Sequence, residues 1–235
     1  MNLCPVTLHR TVFADWRSVH SWASLPDVCR FQPWGPNTEG QTRDFVRAAV
    51  EAWEREPPRR LVHTARVGNA VVGMGELHIR SHTQRQGGIS YIVHPRLWGQ
   101  GIGTEIGRSL LSLGFDVWGL HRIRATCDPR NRGSARVLTK LGMTYEGYHR
   151  HTALIRDGWR DSLVFSTVED EWRAAPRSRA DAVAEGPHPP QPGAMPGAGP
   201  LGATSPGGPP CACLDPPVCR VCGQEGCGVG PCRLR

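Results

Sequence analysis

Near the start of the chain, apolar Leu3, Val6, Leu8, Val12 and Phe13 predict a first strand, and Asp15 ahead of Trp16, Val19, Trp22 and Ala23 predicts a short helix. Phe31, Pro33, Trp34, Gly35 and Pro36 then form a rigid aromatic loop, suited to lining a pocket. Thr38 and Gln41 have capping-box spacing in front of a helix carrying Phe45, Val46, Ala49 and Trp53. Two β-rich runs follow, Leu61 to Val67 and Ala70 to Ile79, and Gly68-Asn69 between them suits a tight hairpin turn. A third run, Ile89 to Val93, stops at His94-Pro95. Three antiparallel strands result.

After that stop comes a glycine-rich stretch from Arg96 to Glu105, and then an amphipathic run with Ile106, Leu110, Leu111, Leu113 and Phe115. This pattern predicts strand, loop, helix. Ile123 to Cys127 predicts a strand, Asn131 to Leu141 a helix closed by Gly142, and Tyr145 to Ile155 with Asp161 to Val168 a strand pair turning at Asp157-Gly158. The expected class is α/β, with a mixed, mostly antiparallel central sheet.

Composition divides the chain. All 16 aromatics lie at or before Trp172, whereas residues 174–235 hold 13 of the 21 prolines and 11 of the 28 glycines. A segment so poor in large apolar groups cannot offset its chain entropy, so a domain over residues 1–173 and a disordered tail over 174–235 are expected. The net charge of +7 comes almost wholly from Arg, with Lys140 the single lysine, and leaves the folded part mildly basic. That balance weakly disfavours polycationic substrates and by itself names no partner.

No window has the ~18 apolar residues of a membrane span, and no basic-then-apolar leader opens the sequence, so a cytoplasmic location without membrane contact is expected. Scattered Cys4, Cys29 and Cys127 fit a reducing compartment. In the tail, Cys219, Cys222, Cys227 and Cys232 have zinc-knuckle spacing, but the aromatics that stack bases in such knuckles are missing. The expectation is therefore no metal and no direct nucleic-acid binding.

Glycines at 99, 101 and 103, between a strand and a helix, free backbone N–H groups to point into one space. The helix N-terminus adds partial positive charge, and a pyrophosphate suits such a cradle. A Walker-type lysine motif is absent, and position 106 is Ile where a dinucleotide fingerprint would carry a further glycine or its equivalent. Trp98-Gly99-Gln100-Gly101-Ile102-Gly103-Thr104-Glu105 instead resembles the coenzyme A loop of the GNAT acetyltransferase superfamily. The form is that of its ribosomal-protein-alanine N-acetyltransferase branch, the RimJ/RimL type. Asn131, Ser134, Leu138, Lys140, Leu141, Gly142 and Met143 are similar to the next family element, Glu146-Gly147 with Arg150 to the one after, and Asp157 to Asp161 to a final hairpin. Two departures stand out: Gly87-Gly88-Ile89-Ser90-Tyr91 lacks the acid common in that segment, and Met143 replaces Phe.

The resemblance implies a GNAT fold with helices on both faces and a strand Ile89 to Val93 that splays from its neighbour. Acetyl-CoA would be held by Ile92, Val93, Trp98, Gly99, Gln100, Gly101, Ile102, Gly103, Thr104, Asn131 and Ser134, with Val93 N–H polarising the thioester. Phe31 and Trp34 would line the acceptor site. An amine must lose a proton to attack, and Glu76 and Glu146 are the candidate bases, with His78, His94 and His149 as relays. The family's usual helix tyrosine is replaced by Leu138, which leaves the Ser134 hydroxyl to serve the departing sulfur; Asn131 is equally suited to cap its helix. The implied activity is acetyl transfer to a primary amine, best a ribosomal-type protein N-terminal alanine. The alternatives are a small-molecule amine or a degenerate acyl-CoA-binding regulator.

Overall fold

A computed structural model describes residues 5–175. Leu3, Cys4 and the tail expectations from residue 176 onward, including the four-cysteine spacing, lie outside the described residues.

Seven strands form one sheet in the order β1-β2-β3-β4-β5-β7-β6. They are β1 (Val6–Arg10), β2 (Arg60–Val67), β3 (Ala70–Ser81), β4 (Gln86–Val93), β5 (Arg122–Cys127), β6 (Thr144–Ile155) and β7 (Gly158–Val168). Every neighbouring pair is antiparallel except β4 and β5. The helices are α1 (Trp16–Ala23), α2 (Pro26–Cys29), α3 (Glu39–Glu51), α4 (Ile102–Ser112), α5 (Arg132–Lys140) and α6 (Glu169–Ala174).

Alternation along β3 sends its side chains to two different cores. Met74 joins Val62 beneath Val19 and Trp22 of α1 and Val46 and Ala49 of α3. On the other face a Cβ at Gly75 would lie 2.9 Å from Ile106 and 3.1 Å from Leu110, so the bare backbone lets α4 settle close on the sheet. Ile106 and Leu110 are fully buried there, each stabilising the fold by roughly 1.5–3 kcal/mol. A single π-helical turn, Leu113–Val117, extends α4 and places Phe115 in a stack on Trp172 of α6.

Two boundaries differ from the sequence pattern. The first strand ends at Arg10, and Val12 and Phe13 stay exposed. The cause is Asp15: its carboxylate accepts from Val12 N and from Thr64 Oγ1, both at 3.2 Å, and pairs with Arg66 at 2.7 Å, turning the chain into α1. At the final hairpin Gly158 already pairs with Ile155, so Arg156 and Asp157 make the turn and β7 starts at Gly158 rather than at Asp161. The Thr38–Gln41 capping box forms as expected, with Thr38 Oγ1 accepting from Gln41 N and Gln41 Oε1 from Thr38 N.

The feature that positions the site is the parallel pair. β4 meets β5 only at Gln86–Arg122, Gly87–Ile123 and Gly88–Arg124, and the strands separate beyond Gly88. Ile89 to Val93 is thus bordered by β3 on one side and by an opening on the other.

Candidate active site

The loop after β4 is tied down by its own strand end. Trp98 Nε1 donates to Val93 O at 2.8 Å, Leu97 N to His94 O, and Trp98 N to Pro95 O. With the loop held so, Gly99 and Gly101 take φ of +78° and +86°, conformations that cost other residues strain. Gly101 is the N-cap of α4 and brings no side chain to the first turn; Thr104 N donates to Gly101 O at 2.9 Å, while the N–H groups of Ile102 and Gly103 are left for an external anion. A Cβ added at Gly99 or Gly101 would meet nothing within 4 Å. The space over the loop is open to a ligand.

That space is a cleft of about 730 Å³ bounded by the loop, β4 and α5. Arg30, Arg130, Arg132, Arg136 and Lys140 line it against one acid, Asp27, so its field suits a phosphate-rich molecule. Of the expected coenzyme contacts, Ile92, Val93, Trp98, Gly99, Gly101, Ile102, Gly103, Thr104, Asn131 and Ser134 all border the cleft. Gln100 does not: its amide donates back to Arg96 O at 3.2 Å and braces the loop. Asn131 fills the capping role, its Oδ1 accepting from Ser134 N at 3.0 Å.

Where the strands separate, a second cavity of about 480 Å³ adjoins the cleft, and Phe31, Tyr91, Asn131 and Ser134 border both. At this junction the Tyr91 hydroxyl lies 3.0 Å from Ser134 Oγ. Burial pushes the Tyr91 phenol up to about 12, with the Ser134 bond acting against it, so the group is neutral and able to donate. Cys127 lies beside this junction, its thiol raised to about 11 by burial. His94 N donates to Val72 O on β3, so alternation turns Val93 N–H the other way, into the opening.

Tyr91 is the residue that the sequence reading passed over. The signal was present in the two-residue period of β4, which puts Tyr91 on the same face as Val93, beside Gly103. A search confined to the helix after Asn131 could not find it, because the hydroxyl comes from the facing strand.

The acids lie differently from one another. Glu76 is buried and holds Arg60, Nε to Oε1 at 2.5 Å and Nη2 to Oε2 at 3.2 Å; it borders neither cavity. Its Oε1 also meets His78 Nδ1 at 3.1 Å, and His78 does line the 480 Å³ cavity, with Nε2 3.5 Å from Ser90 Oγ. Glu146 is bound by Arg122 at 2.6 Å, outside both spaces, and this bond holds its carboxyl below the usual range. His94 caps the turn at Arg96 N, and neither it nor His149 borders a cavity. Phe31 reaches both spaces, while Trp34 packs against the α1–α3 core, and its carbonyl accepts from Arg156.

Residues 6–144 match the acetyltransferase (GNAT) domain family. An uncharacterized N-acetyltransferase of Bacillus subtilis, YnaD, is 29% identical over 161 residues, 68% of this chain and 91% of that protein. The crystal structure of a GNAT-family acetyltransferase from Bacillus anthracis superposes with a TM-score of 0.62 at 29% identity, covering 73% of this chain and 99% of that one. The ribosomal protein uS5-alanine N-acetyltransferase of Escherichia coli is similar over a shorter stretch, 36% identical over 53 residues, 23% of this chain and 27% of that protein.

Proposed function

Because the chain belongs to the GNAT acetyltransferase family and is an acetyl-CoA-dependent N-acetyltransferase, we propose that the 480 Å³ cavity takes the amine acceptor and that acetyl transfer occurs at the Tyr91–Ser134 junction. The observation that carries this reading is that the phosphate-suited cleft and the second cavity share those two hydroxyls. The loop from Trp98 to Thr104 holds the coenzyme's pyrophosphate on the first turn of α4. Val93 N–H, facing the opening, donates to the thioester carbonyl as negative charge grows on its oxygen.

Two proton movements complete the exchange. His78 accepts a proton from the acceptor amine through Nε2, since Glu76 occupies Nδ1 and fixes the ring. As the new C–N bond forms and the C–S bond breaks, the Tyr91–Ser134 pair donates a proton to the departing sulfur. Glu76 thereby acts through His78 rather than on the substrate, and Glu146, neutralised by Arg122 outside both cavities, has no part.

For the acceptor, the branch resemblance supports a protein N-terminal alanine of ribosomal type, with the short similarity to the uS5-alanine enzyme behind it. A small-molecule amine is the second reading, favoured by the modest volume of the cavity. Thiol release from acetyl-CoA, measured against alanine-terminated peptides and small primary amines, separates the two. Turnover confined to peptides supports the first reading, turnover of small amines the second, and no turnover of either refutes the proposal.

A further inference from the structure

The cavity assigned to the acceptor has an unusual charge. Arg80, Arg124 and Arg160 line it beside His78, and the carboxylate on its wall, Asp128, is already held by Arg130 at 2.8 and 3.0 Å. Among the described residues no carboxylate pairs with Arg80, Arg124 or Arg160. Arg160 gives Nη1 to Phe31 O and Nη2 to Ser162 Oγ, while its buried Nε has no acceptor.

Gly88 leaves Arg124 uncovered. A Cβ there would press on the Arg124 carbonyl oxygen at 3.2 Å and lie in ordinary contact with its Cγ at 3.8 Å, so a larger side chain would lie over the stem of Arg124. Burial, then Arg80 and Arg122, disfavour the charged guanidinium of Arg124, and Glu146, bonded to Arg122, offsets only part of this. Guanidinium groups gathered in a small hollow with one committed carboxylate repel a cation and attract an anion. Their planar forks match the oxygens of a carboxylate or phosphate.

We propose that the acceptor carries an anionic group, a carboxylate or a phosphate, which docks on Arg124 and Arg80 while its amine turns toward His78. The proposal rests on the reading of this cavity as the acceptor site. It makes polyamines poor acceptors and, among peptides, selects those with an acidic residue next to the N-terminus.

Matched amines test it: β-alanine against β-alaninamide, phosphoethanolamine against ethanolamine, and an Ala-Asp against an Ala-Asn peptide amide, with spermidine as the cationic control. A bond from a charged donor to an anion predicts at least about tenfold higher kcat/KM for the anionic member of a pair. Whether the carboxylate or the phosphate pair shows the larger ratio identifies the group. Arg124→Gln should bring the ratio near unity, and the exposed Arg80→Gln does the same should the first variant fold poorly. Equal rates within pairs, preference for spermidine, or a variant that lowers both members equally would overturn the proposal. If no amine is acetylated, the acceptor reading itself fails. The anion subsite is then judged by calorimetry on the coenzyme A-loaded protein: N-acetyl-β-alanine must bind more tightly than its amide, and equal binding refutes it.

Discussion

Replacing Tyr91 with Phe removes one hydroxyl and keeps the ring that packs beside Gly103. The structural cost is the hydroxyl's two hydrogen bonds to Ser134, to Oγ at 3.0 Å and to its carbonyl oxygen at 3.4 Å, so stability should fall by about 1–3 kcal/mol. The catalytic cost should be larger. General acid catalysis typically contributes ~10²- to 10⁴-fold, but a thiol of pKa ≈ 8.5 is already a fair leaving group, so the contribution here should fall below that range. We expect kcat to fall roughly 10- to 30-fold, about 1.4–2 kcal/mol of transition-state stabilisation, with KM for acetyl-CoA little changed. Ser134→Ala should cost around tenfold, and the double variant little more than Tyr91→Phe, because both hydroxyls belong to one relay. Burial raises the phenol to about 12 and keeps it protonated, so it should produce no falling limb in the pH–rate profile below pH 10. Thiol-release kinetics read the rates, and thermal unfolding checks that each variant is folded. A Tyr91→Phe enzyme as fast as the parent, or single-variant losses that multiply fully in the double variant, would refute the relay.

The other expectations concern the coenzyme loop, the acid behind His78 and a buried histidine. Gly101→Val puts a branched side chain at φ +86° into open space over the loop, and calorimetry should show coenzyme A binding weakened at least about tenfold in a folded protein. Glu76→Gln should lower kcat about tenfold or more without raising KM for acetyl-CoA, while the unfolding free energy read from denaturant titration drops by roughly 1–3 kcal/mol as Arg60 loses its partner; parent-like turnover would remove Glu76 from the positioning of His78. His63, buried against Trp53, has its pKa pushed from 6.5 down to about 4 by desolvation. It stays neutral in the fold while the unfolded chain takes up a proton, so stability should fall as pH drops from 6.5 to 4, by up to about 3 kcal/mol, and denaturant titrations of His63→Gln should show that part of the slope gone.

Much of this architecture was legible in the pattern of residues because it rests on local causes. Gly68-Asn69 closes the β2–β3 hairpin, Thr38 and Gln41 start α3, and Gly101 opens α4 after a strand that ends at His94-Pro95. Each of these depends on neighbours a few positions away, so the sequence alone specified the elements, their order and the glycine loop proposed for the coenzyme. The chemistry beyond the loop depends on which strands separate and what then faces the gap. Glu76 reads as a free acid until β2 brings Arg60 against it, and Glu146 until β5 supplies Arg122. Tyr91 and Ser134 stand 43 positions apart and meet only because β4 leaves β5 beyond Gly88. The same departure exposes Arg124 beside Arg80. Side-chain partners across a sheet are fixed by register and twist, which no short window of sequence encodes, so the loop proposed for the coenzyme could be read along the chain while the cavity proposed for the acceptor could be read only across it.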